Sequence, residues 1–129
     1  ITVDIDPIAC KTAERLTTHA EVVESDSIEF LSTLDGKVDL LYLDSFNIYN
    51  WLDDWKASAH HLKEIFAAKN VIKEGTLIIV DDNLYVPESE DTNKKLGKGR
   101  IIHELMKSIG IPTFVDGYHI GWIWEEVEK

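Results

Sequence analysis

Asp44, Asp82 and Asn83 are the residues of this chain whose types and placement most readily suggest chemistry. Asp44 follows the apolar run Val38 to Leu43, and Asp82 and Asn83 follow the run Thr76 to Val80. If those runs are adjacent buried strands, two carboxylates and an amide oxygen meet at one place. Such a hard-oxygen set suits Mg2+ or Ca2+. Packed together without a cation, the charges would raise at least one pKa or cost stability. The same residues could instead cap the helices that follow and face water.

Asp4 and Asp6 close the first apolar segment, Ile1 to Ile5. An acid at a strand end of a nucleotide-binding α/β fold can accept hydrogen bonds from both ribose hydroxyls. Asp6 is better suited to capping a helix that starts at Pro7. Asp4, with no such local task, is the ribose candidate. His60 and His61 are candidate bases inside a long helix, where the simpler reading has one packed and the other exposed. Lys94, Lys95, Lys98 and Arg100 form the only basic cluster and read as a solvated loop. Gly97-Lys98-Gly99 is a short turn opening a late helix, a minimal phosphate-loop signal. Phe46, Tyr49, Trp51 and Trp55 could wall an acceptor or adenine pocket, or simply form a flap or core packing.

The elements that must position these groups follow from periodicity. Strands are expected at Ile1 to Ile5, Ala20 to Val23, Val38 to Leu43 and Thr76 to Val80, the last two apolar enough to be buried on both faces. A helix after Pro7 would bury Ile8, Ala9, Ala13 and Leu16. A second, capped by Ser25 or Asp26, carries Ile28, Phe30, Leu31 and Leu34 and ends at Asp35-Gly36. A long helix from about Asp53 shows Trp55, Ala59, Leu62 and Phe66 at helical spacing. Asp82 to Lys98 reads as a long exposed loop or lid, followed by a helix from about Gly99 to Ser108. Asp116-Gly117 marks a hairpin between Pro112 to Val115 and Tyr118 to Glu125. Strands alternating with helices predict a Rossmann-like three-layer αβα domain, with a mostly parallel sheet and a C-terminal antiparallel hairpin. Ligands of such sheets bind beyond the carboxyl ends of the strands, where Asp4, Asp26, Asp44 and Asp82 would gather.

Composition narrows the partners. The 129 residues, 44% hydrophobic and 29% charged, suit one soluble globular domain spanning 1–129. Thirteen basic against 24 acidic residues give a net charge of −11, which argues against nucleic acid. No apolar run approaches the roughly 20 residues of a membrane span. The single cysteine, Cys10, and the lack of a signal-peptide pattern predict a reducing, cytoplasmic setting.

The ordered set Thr2-Val3-Asp4-Ile5-Asp6-Pro7, Glu24-Ser25-Asp26-Ser27, Leu41-Tyr42-Leu43-Asp44 and Gly75 through Asn83 resembles the class I S-adenosylmethionine-dependent methyltransferases. It is most similar to the small metal-dependent O-methyltransferases of the catechol type. The resemblance covers nearly the whole chain in order and spacing. It implies cofactor contacts from Asp4 to the ribose and from Asp26 and Ser27 to the adenine. It also implies Asp44, Asp82 and Asn83 as ligands of Mg2+, which would hold a small-molecule acceptor and lower the pKa of its attacking hydroxyl.

Two departures accompany it. The family's lysine base falls at Asn47, whose amide cannot take a proton at neutral pH, so the catalytic base is unassigned. The family's first strand and Gly-x-Gly loop are missing: none of the seven glycines follows a first strand. The chain is therefore expected to be an incomplete domain that could be inactive as it stands, lacking a strand between Ile1 to Ile5 and Val38 to Leu43. Expected remedies are direct pairing of those two strands, a second copy of the chain joined through the exposed edges, or a longer parent that supplies the strand. Two other readings compete. One is a non-catalytic interaction module that uses the exposed edges. The other is a haloacid-dehalogenase-like phosphohydrolase built on Asp4-x-Asp6 and Asp81-Asp82.

Overall fold

A computed structural model describes residues 1–49, 51–83 and 97–126, with the backbone but not the side chain of Trp51. The expected lid falls largely on residues 84–96, and with Lys94 and Lys95 lies outside the described residues. Among the described residues the strands are β1 (Thr2–Asp4), β2 (Val22–Glu24), β3 (Leu40–Leu43), β4 (Leu77–Val80), β5 (Val115–Asp116) and β6 (Ile120–Ile123). The helices are α1 (Pro7–Leu16), α2 (Ser27–Thr33), α3 (Trp51–Ala67) and α4 (Arg100–Ser108).

Local chemistry sets most of the helix starts. Asp6 Oδ1 accepts from the Ile8 amide at 2.8 Å, ahead of Pro7 in the first turn of α1. Asp26 Oδ1 accepts from the amides of Ile28 (2.9 Å) and Glu29 (3.0 Å) and starts α2. α3 carries Asp53 and Asp54 in its first turn, where carboxylates offset the helix dipole. α4 follows Gly99, which has no side chain to cap it, and Ser58 Oγ on α3 takes the Ile101 amide instead, at 3.0 Å.

The strands form two sheets. β1 pairs with β2 in parallel, Asp4 opposite Glu24. The other sheet has the order β3-β4-β6-β5: β3 and β4 run parallel with Leu43 opposite Val80, and β6 runs antiparallel to both β4 and β5. The fold is thus mixed α/β, with the expected hairpin turning at Asp116-Gly117. Among the described residues the single sheet and the direct pairing of the first and third strands are not formed: β1 and β3 belong to separate sheets, each with one edge that no described strand pairs.

One face of the larger sheet holds the core. Leu41, Ile78 and Trp122 form one cross-strand row, and Leu43, Val80 and Ile120 the next. Leu31 of α2, Ile65 of α3, and Ile102 and Met106 of α4 pack on that face. On the opposite face Leu40 and Tyr42 are 55% and 47% exposed. The expectation that β3 is buried on both faces therefore fails. All three helices that contribute to the core of the larger sheet lie on the same side.

The helix stripes also differ from expectation. In α1 the buried residue is Cys10, while Ile8 and Leu16 are 73% and 82% exposed, because among the described residues α1 packs mainly on the small β1–β2 sheet. In α3 the buried face runs through Asp54, Ala57, Ser58, His61, Glu64 and Ile65. Trp55 and Phe66, expected to face inward, are exposed. A stripe holding four polar residues reads as a solvent face in sequence. It is buried here because neighbouring elements supply hydrogen-bonding partners for much of it.

Candidate functional site

Hydrogen bonds and ion pairs link residues at the ends of β1, β2, β3 and β4 in succession. At β1 and β2, the Ser25 amide donates to the Asp4 carbonyl at 3.0 Å. Between β2 and β3, Ser27 Oγ and Ser45 Oγ both donate to Glu64 Oε1 of α3, the first at 2.5 Å. Between β3 and β4, the ammonium of Lys98 lies 2.8 Å from Asp44 Oδ1 and 2.8 Å from Asp82 Oδ2. The backbone bends back sharply at two of these tips. Phe46 has φ 71° and Asp82 has φ 52°. An aspartate tolerates that left-handed region, whereas a phenylalanine there is strained, as residues at functional sites often are.

Lys98 is the residue that the sequence reading misplaced. Expected in a solvated loop, it is 1% exposed and is the cation between the two carboxylates. Burial alone would lower its pKa. The hydrogen bonds and charges of Asp44 and Asp82 outweigh that and raise it, so the ammonium form is held. The Asp82 carboxyl in turn lies below its usual range, through the bond from Lys98 first and then the bond from the Tyr118 hydroxyl to its other oxygen. That bond and the carboxylate charge push the Tyr118 phenol up to about 12. Next to it, Tyr42 donates to Asp81 Oδ2 at 2.8 Å, with His119 Nε2 3.1 Å from Oδ1. Burial, then the bond to Asp81, raise the Tyr42 phenol to about 12.

The expected metal set can be tested against this geometry. Asp44 and Asp82 do converge. Their facing oxygens are taken by an ammonium, however, and Asn83 turns inward: its Oδ1 accepts from the Gly99 amide at 2.9 Å and its Nδ2 donates to the Val80 carbonyl at 2.8 Å. Asn83 is a structural anchor for the Gly97-Lys98-Gly99 turn, so a three-ligand Mg2+ site does not fit the residues as they stand. Among the described residues no group of three or more His, Cys, Asp or Glu is arranged to hold a metal.

The expected cofactor residues fare unevenly. Asp4, expected to have no local task, accepts from the Asp6 amide at 2.8 Å through Oδ1. It remains exposed. Asp26 spends Oδ1 on its helix cap. The Ser27 hydroxyl donates to Glu64. Asp4 and Asp6 each use one carboxylate oxygen on a local amide.

A second polar cluster was not anticipated. Glu64 is fully buried and accepts from Ser27, Ser45 and His61 Nδ1, the last at 2.5 Å, with His60 Nε2 at 3.3 Å. Burial raises its pKa, but the bonds from His61, Ser27 and Ser45 outweigh this and lower it, so the carboxylate is ionised. With Nδ1 of the buried His61 turned to Glu64, neither its Nε2 nor Asp54 Oδ1 has a hydrogen-bond partner among the described residues. The other Asp54 oxygen binds Arg100 at 2.8 Å, and Arg100 stacks 4.3 Å over the ring of Trp55. Phe46 lies 5.7 Å from the ring of His60. Trp51, another member of the expected aromatic wall, has its side chain outside the described residues. The spacing His60-His61-x-x-Glu64 was the available signal, because residues three and four apart share a helix face.

No protein-family model matches the chain, and no curated protein matches its sequence. Among the described residues no helix is long and apolar enough to cross a membrane.

Proposed function

We propose that this chain is a Rossmann-like, S-adenosylmethionine-dependent methyltransferase-like domain, which transfers a methyl group to an oxygen of a small acceptor. The supporting observation is the continuity of the strand-end links. Asp4 joins Ser25, Ser27 joins Ser45 through Glu64, and Asp44 joins Asp82 through Lys98, so residues at four successive strand ends are linked in series. In open parallel α/β sheets an adenosyl ligand lies beyond such strand ends, with an acid at the first tip to take the ribose hydroxyls. The acceptor would then sit over Asp44 and Asp82, beside Tyr118. The cofactor, when bound, supplies an electrophilic methyl. The protein's part is to align acceptor and sulfonium.

Titration of the chain with S-adenosylhomocysteine, followed by amide chemical shifts, tests this reading. Shifts clustered at residues 4–6, 25–28 and 44–46, and weakened in Asp4→Ala, are expected. Saturating ligand without shifts at those tips would reject it.

The unpaired edges favour one further reading, a module that associates with a second copy of itself. Among the described residues β1 and β3 each have an edge without a neighbouring strand, and Leu40 and Tyr42 are exposed on β3. Such edges pair readily with other strands. Sedimentation that depends on concentration, in a protein that ignores S-adenosylhomocysteine, would select this reading over the first.

A further inference from the structure

We propose that Lys98 is the resident cation of the strand-end site, a tethered ammonium that stands where a divalent ion would bind and makes the site metal-independent. The contacts of Lys98 carry the inference, and only its consequence for the acceptor rests on the methyl-transfer reading.

Three observations carry it. The Lys98 ammonium makes two equivalent 2.8 Å contacts, one to each carboxylate, and approaches the Asp44 carbonyl at 3.4 Å. Its side chain is buried, so it is built into the site and does not lie across its surface. The turn that delivers it is clamped from both sides. The Lys98 amide bonds to the Asp82 carbonyl at 3.4 Å, and the Gly99 amide bonds to Asn83 Oδ1 at 2.9 Å. A Cβ on Gly99 would meet Ile120 Cγ2 at 2.4 Å and Asn83 Oδ1 at 2.5 Å, so no larger residue fits this turn without displacing them. The third oxygen that a small hard cation would need is therefore the one that holds the lysine in place. Mg2+ demands near-octahedral oxygen ligation. To enter, it would have to break both ammonium contacts and bury a second positive charge beside the first, which like-charge repulsion opposes.

The acceptor chemistry changes accordingly. An ammonium neutralises Asp44 and Asp82 without offering two adjacent coordination positions. The site therefore has no need of an acceptor with two vicinal oxygens, and a single hydroxyl beside Asp44 suffices.

The test uses the whole chain and the metals alone. Wild-type protein titrated calorimetrically with MgCl2 is expected to give no saturable heat, and MnCl2 to leave the amide signals of residues 44 and 82 unbroadened. Lys98→Met and Lys98→Ala, checked by circular dichroism, are expected to gain Mg2+ affinity by roughly tenfold or more, as two carboxylates lose their internal counter-ion. A variant that folds only when MgCl2 is added supports the inference equally. Selective Mn2+ broadening at residues 44 and 82 in the wild type overturns it, whatever the variants do. So does a folded variant that binds Mg2+ no better than wild type. Because S-adenosylhomocysteine is absent from the experiment, neither result bears on cofactor binding.

Discussion

The hydroxyl of Ser27 lies 2.5 Å from Oε1 of Glu64, 37 positions later in the chain. The same oxygen receives Ser45, so one buried carboxylate ties the start of α2 and the loop after β3 to α3. The linked strand ends thus depend on that buried residue.

Glu64→Ala should destabilise the protein by about 2 to 4 kcal/mol, since it removes a buried charge and leaves three donors without an acceptor. Urea unfolding measures the loss. Hydrogen exchange should quicken at residues 25–28 and 44–46 before it does at β4. A loss below about 0.5 kcal/mol would mean that the carboxylate holds nothing.

Stability should fall at both ends of the pH scale. Glu64 and Asp82 have folded pKa values below their ordinary 4.5 and 3.8, so their contribution is complete above those values and is lost as pH falls through the lowered ones. Lys98 is raised above 10.5, and its contribution is lost as pH climbs through the raised value. Tyr42 and Tyr118 move from 10.0 to about 12, so folded protein loses stability from pH 10 upward as the unfolded chain ionises first. Denaturation midpoints across the pH range should therefore show a plateau between the two falls. Absorbance titration of the folded protein should show late-ionising phenols, one fewer in Tyr42→Phe.

Gly99→Ala should cost about 1 to 3 kcal/mol through overpacking, because the new methyl meets Ile120 and Asn83. The thermal midpoint should drop, and the Asn83 side-chain amide resonances should shift. An unchanged midpoint would show that the turn has room to spare.

Two truncations separate core from surface. Met106→Ala, in the fully buried face of α4, should cost about 2 to 5 kcal/mol. Leu16→Ala, on exposed α1, should change stability by no more than about 0.5 kcal/mol. Equal losses would show that α1 buries the stripe expected from its periodicity.

What the sequence determined by itself was local. Asp6 and Asp26 mark the starts of α1 and α2, because a cap is a bond to an amide two or three positions on. The runs ending at Leu43 and Val80 mark β3 and β4, and Asp116-Gly117 marks the hairpin. The convergence of Asp44 and Asp82 was legible too, because parallel strands one crossover apart bring their ends together. Only the tertiary structure decided what lies between them. Lys98 meets Asp44 across 54 positions, and no local rule says that a lysine beside two glycines turns inward. Nor could periodicity find the buried face of α3. It counts apolar residues, whereas Ser58 and Glu64 are buried on the strength of partners elsewhere, such as Ser27, Ser45 and the amide of Ile101. Burial of a polar group depends on its partner, and that partner is supplied by packing between distant segments.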